Sequence, residues 1–220
     1  MYTLPQFAET RIAVLHDLIR AYPLATFVSF WGDELAVNHF PLYLMAGKTG
    51  GDVLQGHIPR GNVIWEAFDD REAIAVFQGP QAYITPSWYP GKQHHGKVVP
   101  TWNYAVVQVH GRPRAVHEGE WLLRHLTMLT DQQEREQGAP WRVSDAPAAF
   151  VDQLVGSLVG IELPVSSISG KWKVSQNRPV ADRKGVAAGL NARGDDQALA
   201  MEALVGAHIS GEEAGQEEAG

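Results

Sequence analysis

The sequence predicts a mainly β fold with helices, an antiparallel barrel closed or nearly closed, on three observations. Apolar and polar residues alternate with period two through much of residues 25–117, the pattern of strands with one buried face. Turn residues such as Gly32-Asp33 break that alternation at hairpin spacing. Helical periodicity is confined to the N-terminal stretch, a short segment after residue 61 and the region beyond residue 118, so helices flank the strands.

Residues 7–22 place Phe7, Ile12, Leu15, Leu18, Ile19 and Tyr22 at near-helical spacing up to Pro23, which predicts an amphipathic helix. Ala25 to Trp31, Leu35 to Leu44 and Val53 to Gly56 read as antiparallel strands, joined by the Gly32-Asp33 turn and a turn over 47–52; a meander is the simplest topology. A short helix is expected over Asn62 to Phe68, strands over Ala73 to Gln78 and Ala82 to Thr85, and a hairpin of Trp102 to His110 with Pro113 to His117. Helices follow over Gly119 to Gln137, with Trp121, Leu122, His125 and Leu129 among its apolar-spaced positions, and over Asp145 to Val155 after a Ser144 cap. Val159 to Gln176 alternates as a last strand or strand pair, and Arg178 to Leu190 and Gln197 to Val205 read as helices. Residues 1–209 are expected to form one domain and 210–220 an acidic tail too polar and too small-sided to fold.

A chain of 220 residues, 45% hydrophobic and 20% charged, is long enough to bury a core without staples. The absence of cysteine removes disulfides, thiolate catalysis and Cys-ligated metal, and a cytoplasmic location is expected. Glu9, Arg11, Asp17 and Arg20 interrupt any N-terminal apolar run, so no signal peptide is expected, and no apolar run reaches the roughly 18 residues of a spanning helix. The net charge of −7 owes much to Glu212, Glu213, Glu217 and Glu218, which leaves a mildly acidic body. No basic stripe or helix-turn-helix is apparent, which disfavours direct DNA binding.

Three polar clusters carry the chemistry. Tyr83 to Tyr104 sets Thr85, Ser87, Trp88 and Tyr89 against Thr101, Trp102, Asn103 and Tyr104, across a basic hairpin-like loop holding Lys92, His94, His95 and Lys97. Rings beside hydroxyls, an amide and cations suit one wall of a pocket for a flat anionic ligand; the alternative is an exposed hairpin whose aromatics fill core. Gly56-His57-Ile58-Pro59-Arg60-Gly61-Asn62 sits where a strand meets a short helix, and its glycines, helix start and forked cation suit a phosphate monoester. It lacks the spacing of a Walker A loop or of a dinucleotide fingerprint, and an ordinary strand-to-helix turn is the alternative. On Lys171 to Arg178, strand alternation puts Lys171, Lys173 and Ser175 on one face and Trp172 and Val174 on the other, with Gln176 and Arg178 at the strand end; a solvated strand edge is the alternative. Among the 9 histidines no H-x-x-x-H spacing occurs, and no metal site is expected. No G-x-S-x-G nucleophile motif is present either.

G-H-I-P-R-G-N at 56–62, T-P-S-W-Y-P-G-K at 85–92, G-K-V-V-P-T-W-N-Y at 96–104 and K-x-S-Q-N-R at 173–178 resemble the PaiB-like FMN-binding proteins, known in part as negative transcriptional regulators. The resemblance extends over about residues 1–190. It implies an FMN-binding split β-barrel related to the pyridoxamine phosphate oxidases, a homodimer with FMN at the subunit interface. It further implies that His57, Ile58, Arg60 and Asn62 hold the flavin phosphate, that the strand Asn38-His39-Phe40-Pro41-Leu42 lies along the ring, and that Thr101, Trp102 and Asn103 reach the flavin from the partner subunit. Ser87, Lys97, Lys173, Gln176 and Arg178 complete the expected cofactor contacts. Alanine-rich wording is expected near 59–63 in relatives, where this chain has Pro59, Gly61, Asn62 and Val63, so the phosphate donors are less defined.

Two functions follow from this resemblance. An FMN-dependent oxidoreductase would take a small-molecule or nicotinamide substrate over the exposed ring, with the chemistry supplied by the cofactor and no single catalytic side chain assigned. A transcriptional regulator would instead lower expression through DNA or a protein partner without redox turnover. A heme-degrading enzyme on a related barrel is a further alternative, for which no heme-ligating histidine is identified. No membrane partner is expected.

Overall fold

The computed structural model describes residues 1–47, 51–68 and 71–217. In chain order the elements are β1 (Ala8–Glu9), α1 (Ile12–Ala21), β2 (Leu24–Trp31), β3 (Glu34–Pro41), β4 (Tyr43–Met45), β5 (Val53–Pro59), β6 (Ala73–Ile84), α2 (Gly91–His95), β7 (Thr101–Gly111), β8 (Arg114–Val116), α3 (Gly119–Glu134), α4 (Ala148–Gly156), β9 (Leu158–Lys173), α5 (Val180–Arg193) and α6 (Asp196–Glu217). The strands follow the order β3-β2-β6-β7-β9-β5-β4, with β1 and β8 each paired to β9. The described registers are antiparallel, and the fold is an α+β split β-barrel with N-terminal and C-terminal helices.

Two compact units divide the chain, one of Met1–Leu15, Gln78–Val107 and Ser169–Gly220, the other of His16–Phe77 and Gln108–Ile168. In the second unit, β2 and β3 form the expected hairpin, from Leu24↔Pro41 to Trp31↔Glu34. Gly32 supplies the positive φ of 59° at its turn, a conformation that side chains with a Cβ resist. β5 pairs with β4 on one side and with Leu158 to Pro164 of β9 on the other. In the first unit, α5 and α6 pack together and bury Val186, Leu190, Ala198, Met201 and Val205.

Several expected boundaries move. The strand expected over Leu35 to Leu44 is two strands that pair with different partners, β3 with β2 and β4 with β5, because Leu42 leaves the ladder and is buried. The turn expected over 47–52 includes residues 48–50, which lie outside the described residues. The two strands expected over 73–85 are one strand, β6, which passes through Gly79 and Pro80. β8 pairs with β9, Arg114 opposite Glu162 and Val116 opposite Gly160, rather than closing a hairpin on β7. Ser144 lies within a 3-10 turn, and Pro147 stands at the N-terminus of α4. The backbone of α6 continues helically past Ser210 to Glu217, where composition left the chain unfolded; the alanine and glutamate there are good helix formers.

Candidate functional site

Within the first unit, the loop expected as a hairpin connection after Tyr83 is instead a 3-10 turn, Pro86–Trp88, followed by the single helical turn α2. Local chemistry shapes it. Thr85 Oγ1 accepts from the Ser87 backbone N–H at 3.3 Å, and Gly96 ends α2 with a φ of 64°. α5 anchors the segment from beneath. Asp182, buried on α5, accepts the Gly91 N–H at 2.9 Å. A Cβ on Gly189 would lie 2.3 Å from the Trp88 ring, and one on Gly185 would lie 2.0 Å from the Trp88 carbonyl oxygen. The bare face of α5 is therefore the floor on which Trp88 rests.

Beside this segment the end of β9 collects cations. Lys173 Nζ donates to Thr101 Oγ1 and, at 2.9 Å, to the Trp102 carbonyl oxygen. Lys171 Nζ stands 5.4 Å above the Tyr104 ring and donates to the Tyr2 carbonyl. The Arg178 guanidinium lies 4.9 Å from the centroid of the Tyr89 ring. Among the described residues neither Lys171 nor Lys173 is paired with a carboxylate. Burial first, and then the neighbouring Lys171 and Arg178, hold the Lys173 ammonium below the ordinary lysine range, against Tyr104, which raises it. Such a cluster is relieved by an anion. Next to it, Tyr83 and Trp102 are exposed with their rings 5.9 Å apart, and Trp102 Nε1 donates to Gln81 Oε1 at 3.1 Å.

Two expected contacts in this unit turn inward. Asn103 is 1% exposed, and its Nδ2 donates to Ser175 Oγ at 2.9 Å. Ser175 carries the one positive φ among the described non-glycine residues, 70°, so Asn103 holds the bend that follows β9 rather than facing solvent. Gln176 folds back, its Oε1 accepting from the Val174 N–H at 2.8 Å and its amide donating to the Trp172 carbonyl. Ser87 and Lys97 are exposed.

The second unit holds the remaining expected residues. Arg60 donates to the carbonyl oxygens of Leu158 at 2.9 Å and Gly156 at 3.3 Å, strapping the end of β5 to the start of β9. Asn62 Nδ2 donates to Asn38 Oδ1 at 2.8 Å, which joins the phosphate-type motif to the strand expected along the ring. His39 is exposed and Pro41 half-buried, whereas the side chains of Leu42 and Ile58 are buried in the core. His57 is half-buried, and its Nδ1 meets His125 Nε2 of α3 at 3.1 Å. Burial lowers the pKa of His57, while burial and the His57 contact push His125 down to about 4, so both rings are neutral near pH 7.

Around this pair lies a network of residues distant in sequence. Trp121 stacks on His125 at 5.3 Å and 19°, over Gly160, where a Cβ would lie 2.3 Å from the indole. Its Nε1 donates to Glu162 Oε1 at 2.9 Å. Glu162 also accepts from Gln55 at 3.0 Å and from Arg114 Nε at 2.7 Å. Burial raises the Glu162 pKa, but bonds from Arg114, Trp121 and Gln55 outweigh it and the net shift is downward. Helical spacing puts Trp121 and His125 on an apolar stripe, and no local pattern marks Glu162 or Asp182. A histidine at a core-facing helix position was the available signal.

A flat phosphorylated ring fits what the first unit offers, an anion-seeking cation cluster beside exposed aromatic rings. Comparison with known proteins gives that fit a name. The family described as "Putative FMN-binding domain" matches residues 1–167. A protein of Emericella nidulans is 32% identical over 232 residues, which cover 89% of this chain and 92% of the relative. Protease synthase and sporulation protein PAI 2 of Bacillus subtilis is 28% identical over 83% of this chain and 85% of its own length. Among solved structures, the flavocytochrome Anf3 of Azotobacter vinelandii aligns with a TM-score of 0.57 at 13% identity, covering 76% of this chain and 69% of that one. The FAD and heme binding protein of Mycobacterium smegmatis aligns at 0.55 and 15% identity, over 76% of this chain and 73% of that one. The chain belongs to the FMN-binding domain family, as a PaiB-like split-barrel protein whose cofactor is FMN.

Proposed function

We propose that the protein is an FMN-dependent oxidoreductase acting as a homodimer. The observation that carries this reading is the pairing of Lys171, Lys173 and Arg178, at the end of β9, with the exposed Tyr83 and Trp102 rings. The cations would receive the anionic parts of the cofactor and the aromatic rings would pack beside it; in the second unit, His57 and Asn62 are residues that the family resemblance assigns to the flavin phosphate. Bound FMN supplies the capacity to accept electrons from a donor and pass them to an acceptor. The chain binds it, orients it and keeps positive charge near it, which favours a more electron-rich flavin. Exposed apolar residues on β2 and β3, Leu35 at 67% and Val37 at 56% among them, support a second copy as the partner that covers this edge.

Titrating purified protein with FMN while following the visible spectrum, then adding NADH or NADPH under air, tests the proposal. Flavin uptake followed by nicotinamide consumption supports it; flavin uptake with no turnover by any nicotinamide or small-molecule donor overturns the enzymatic part. Size measurement in solution tests the dimer.

A regulatory reading draws on one observation, the similarity to the Bacillus subtilis protein whose name ties it to protease synthesis and sporulation. The net charge of −7 works against direct DNA binding. Gel-shift binding that survives physiological salt would favour regulation over catalysis.

A further inference from the structure

His125 has no place in any motif of the sequence, yet it is 0% exposed and meets His57 within the segment expected to bind the cofactor. Only one ring nitrogen of each histidine takes part in that contact. His125 Nδ1 is enclosed and has no partner among the described residues, whereas His57 Nε2 is absent from the enclosed unpartnered atoms. With both rings neutral, a single proton sits between them, and its owner sets what His57 presents to its surroundings. If His125 carried its proton on Nδ1, a buried N–H would have no acceptor. If it carries the proton on Nε2, that N–H is satisfied by His57 Nδ1 and only a lone pair is left over. An orphaned buried N–H is the rarer outcome in folded proteins.

The surroundings fix His125 in place. Trp121 lies flat against it, and Trp121 is itself pinned by its bond to Glu162 and by the absence of a side chain at Gly160. The ring therefore cannot rotate without displacing the Trp121 stack, and His57 inherits that order.

We infer that His125 is a positioning residue for the cofactor-binding segment: it donates Nε2–H to His57 Nδ1, fixes His57 as the Nε2-protonated tautomer and thereby makes His57 a hydrogen-bond donor to an acceptor atom of the flavin. The inference rests on the FMN reading for its last step, while the tautomer is a property of the chain alone.

Nitrogen-detected NMR of histidine in the ligand-free protein, and FMN affinity measured by fluorescence quenching, test it in three proteins. Wild type and His125→Gln, which keeps an N–H donor, should both show His57 protonated at Nε2 and should bind FMN alike. His125→Met removes the donor at similar volume; its His57 should populate both tautomers, and FMN should bind roughly three- to tenfold more weakly, the effect of one ordinary hydrogen bond. In a His57→Ala background the same Met substitution should change FMN affinity no further. Wild-type His57 protonated at Nδ1, or equal FMN affinity in the Met and Gln variants, overturns the inference. Failure of the wild type to bind FMN at all counts against the FMN reading instead, and the NMR result then still decides the tautomer. Should the Met variant not fold, wild type and the Gln variant still decide it.

Discussion

Trp88 rests on Gly189: a Cβ at that glycine would approach the indole to 2.3 Å, closer than side chains pack. α5 thus gives up helix propensity at two positions, Gly185 and Gly189, to seat the segment that begins the aromatic and basic stretch from Tyr83 to Tyr104. The candidate binding face in this unit is held from below by a helix whose Asp182 and Arg183 side chains are buried.

Gly189→Ala is expected to destabilise the protein. Alanine in a helix interior gains about 1 kcal/mol over glycine, but overpacking a well-filled site costs about 1–3 kcal/mol, and the packed Trp88 ring is not a flexible side-chain end that moves aside cheaply. The control is Gly206→Ala in α6, where the nearest atom to a Cβ is Glu202 Oε1 at 3.6 Å; there the propensity gain stands alone. Urea unfolding should place the first variant below wild type and the second above it. Equal or raised stability in Gly189→Ala would contradict the seating of Trp88.

Lys173→Met should weaken FMN binding by roughly tenfold or more, since hydrogen bonds from charged groups are worth about 1.5–3 kcal/mol. The loss should shrink as salt is raised, because part of what is removed is attraction to an anion. Fluorescence quenching of FMN at low and high ionic strength measures both. Unchanged affinity at low salt would move the cofactor away from the end of β9.

Arg60→Ala should affect folding more than FMN affinity. The guanidinium already serves the Gly156 and Leu158 carbonyls, and because Arg60 is exposed the cost should stay near that of ordinary hydrogen bonds, about 1 kcal/mol. Thermal unfolding and FMN titration of one variant separate the two. A large loss of FMN affinity with unchanged stability would restore Arg60 as the phosphate ligand the sequence suggests.

The β2–β3 hairpin was legible because strict alternation and Gly32 specify both register and turn. β6 was not legible as one strand, since Gly79 and Pro80 are local breakers that the sheet tolerates in place. The pairing of β8 with β9 brings Arg114 to Glu162, residues 48 apart in sequence, a distance over which local pattern carries no information. In the candidate site, the face shared by Lys171 and Lys173 followed from strand periodicity alone. That Gln176 folds back on Trp172 and Val174 did not, because the choice between a ligand and a nearby backbone carbonyl is set by the bend at Ser175. The His57–His125 contact spans 68 residues and was hidden for the same reason as the β8 pairing.

Acid should destabilise the protein in two adjoining windows. His125 is buried neutral, with its folded pKa pushed from 6.5 to about 4 by burial and by His57. The unfolded chain therefore binds more protons than the folded one between those values, and stability rises with pH through that window. The depression corresponds to about 3 kcal/mol of stability, present above about pH 6.5 and lost as pH falls toward 4. Glu162 acts below this range: its pKa is lowered in the fold, so its contribution is complete above its ordinary carboxylate value and is lost as pH falls through the lowered one. Urea unfolding of wild type from about pH 3 to 8 should give a slope between pH 4 and 6.5 and a further acid limb below it. His125→Gln should flatten that slope while leaving the acid limb of Glu162 intact, and an unchanged slope in this variant would place the titrating group elsewhere.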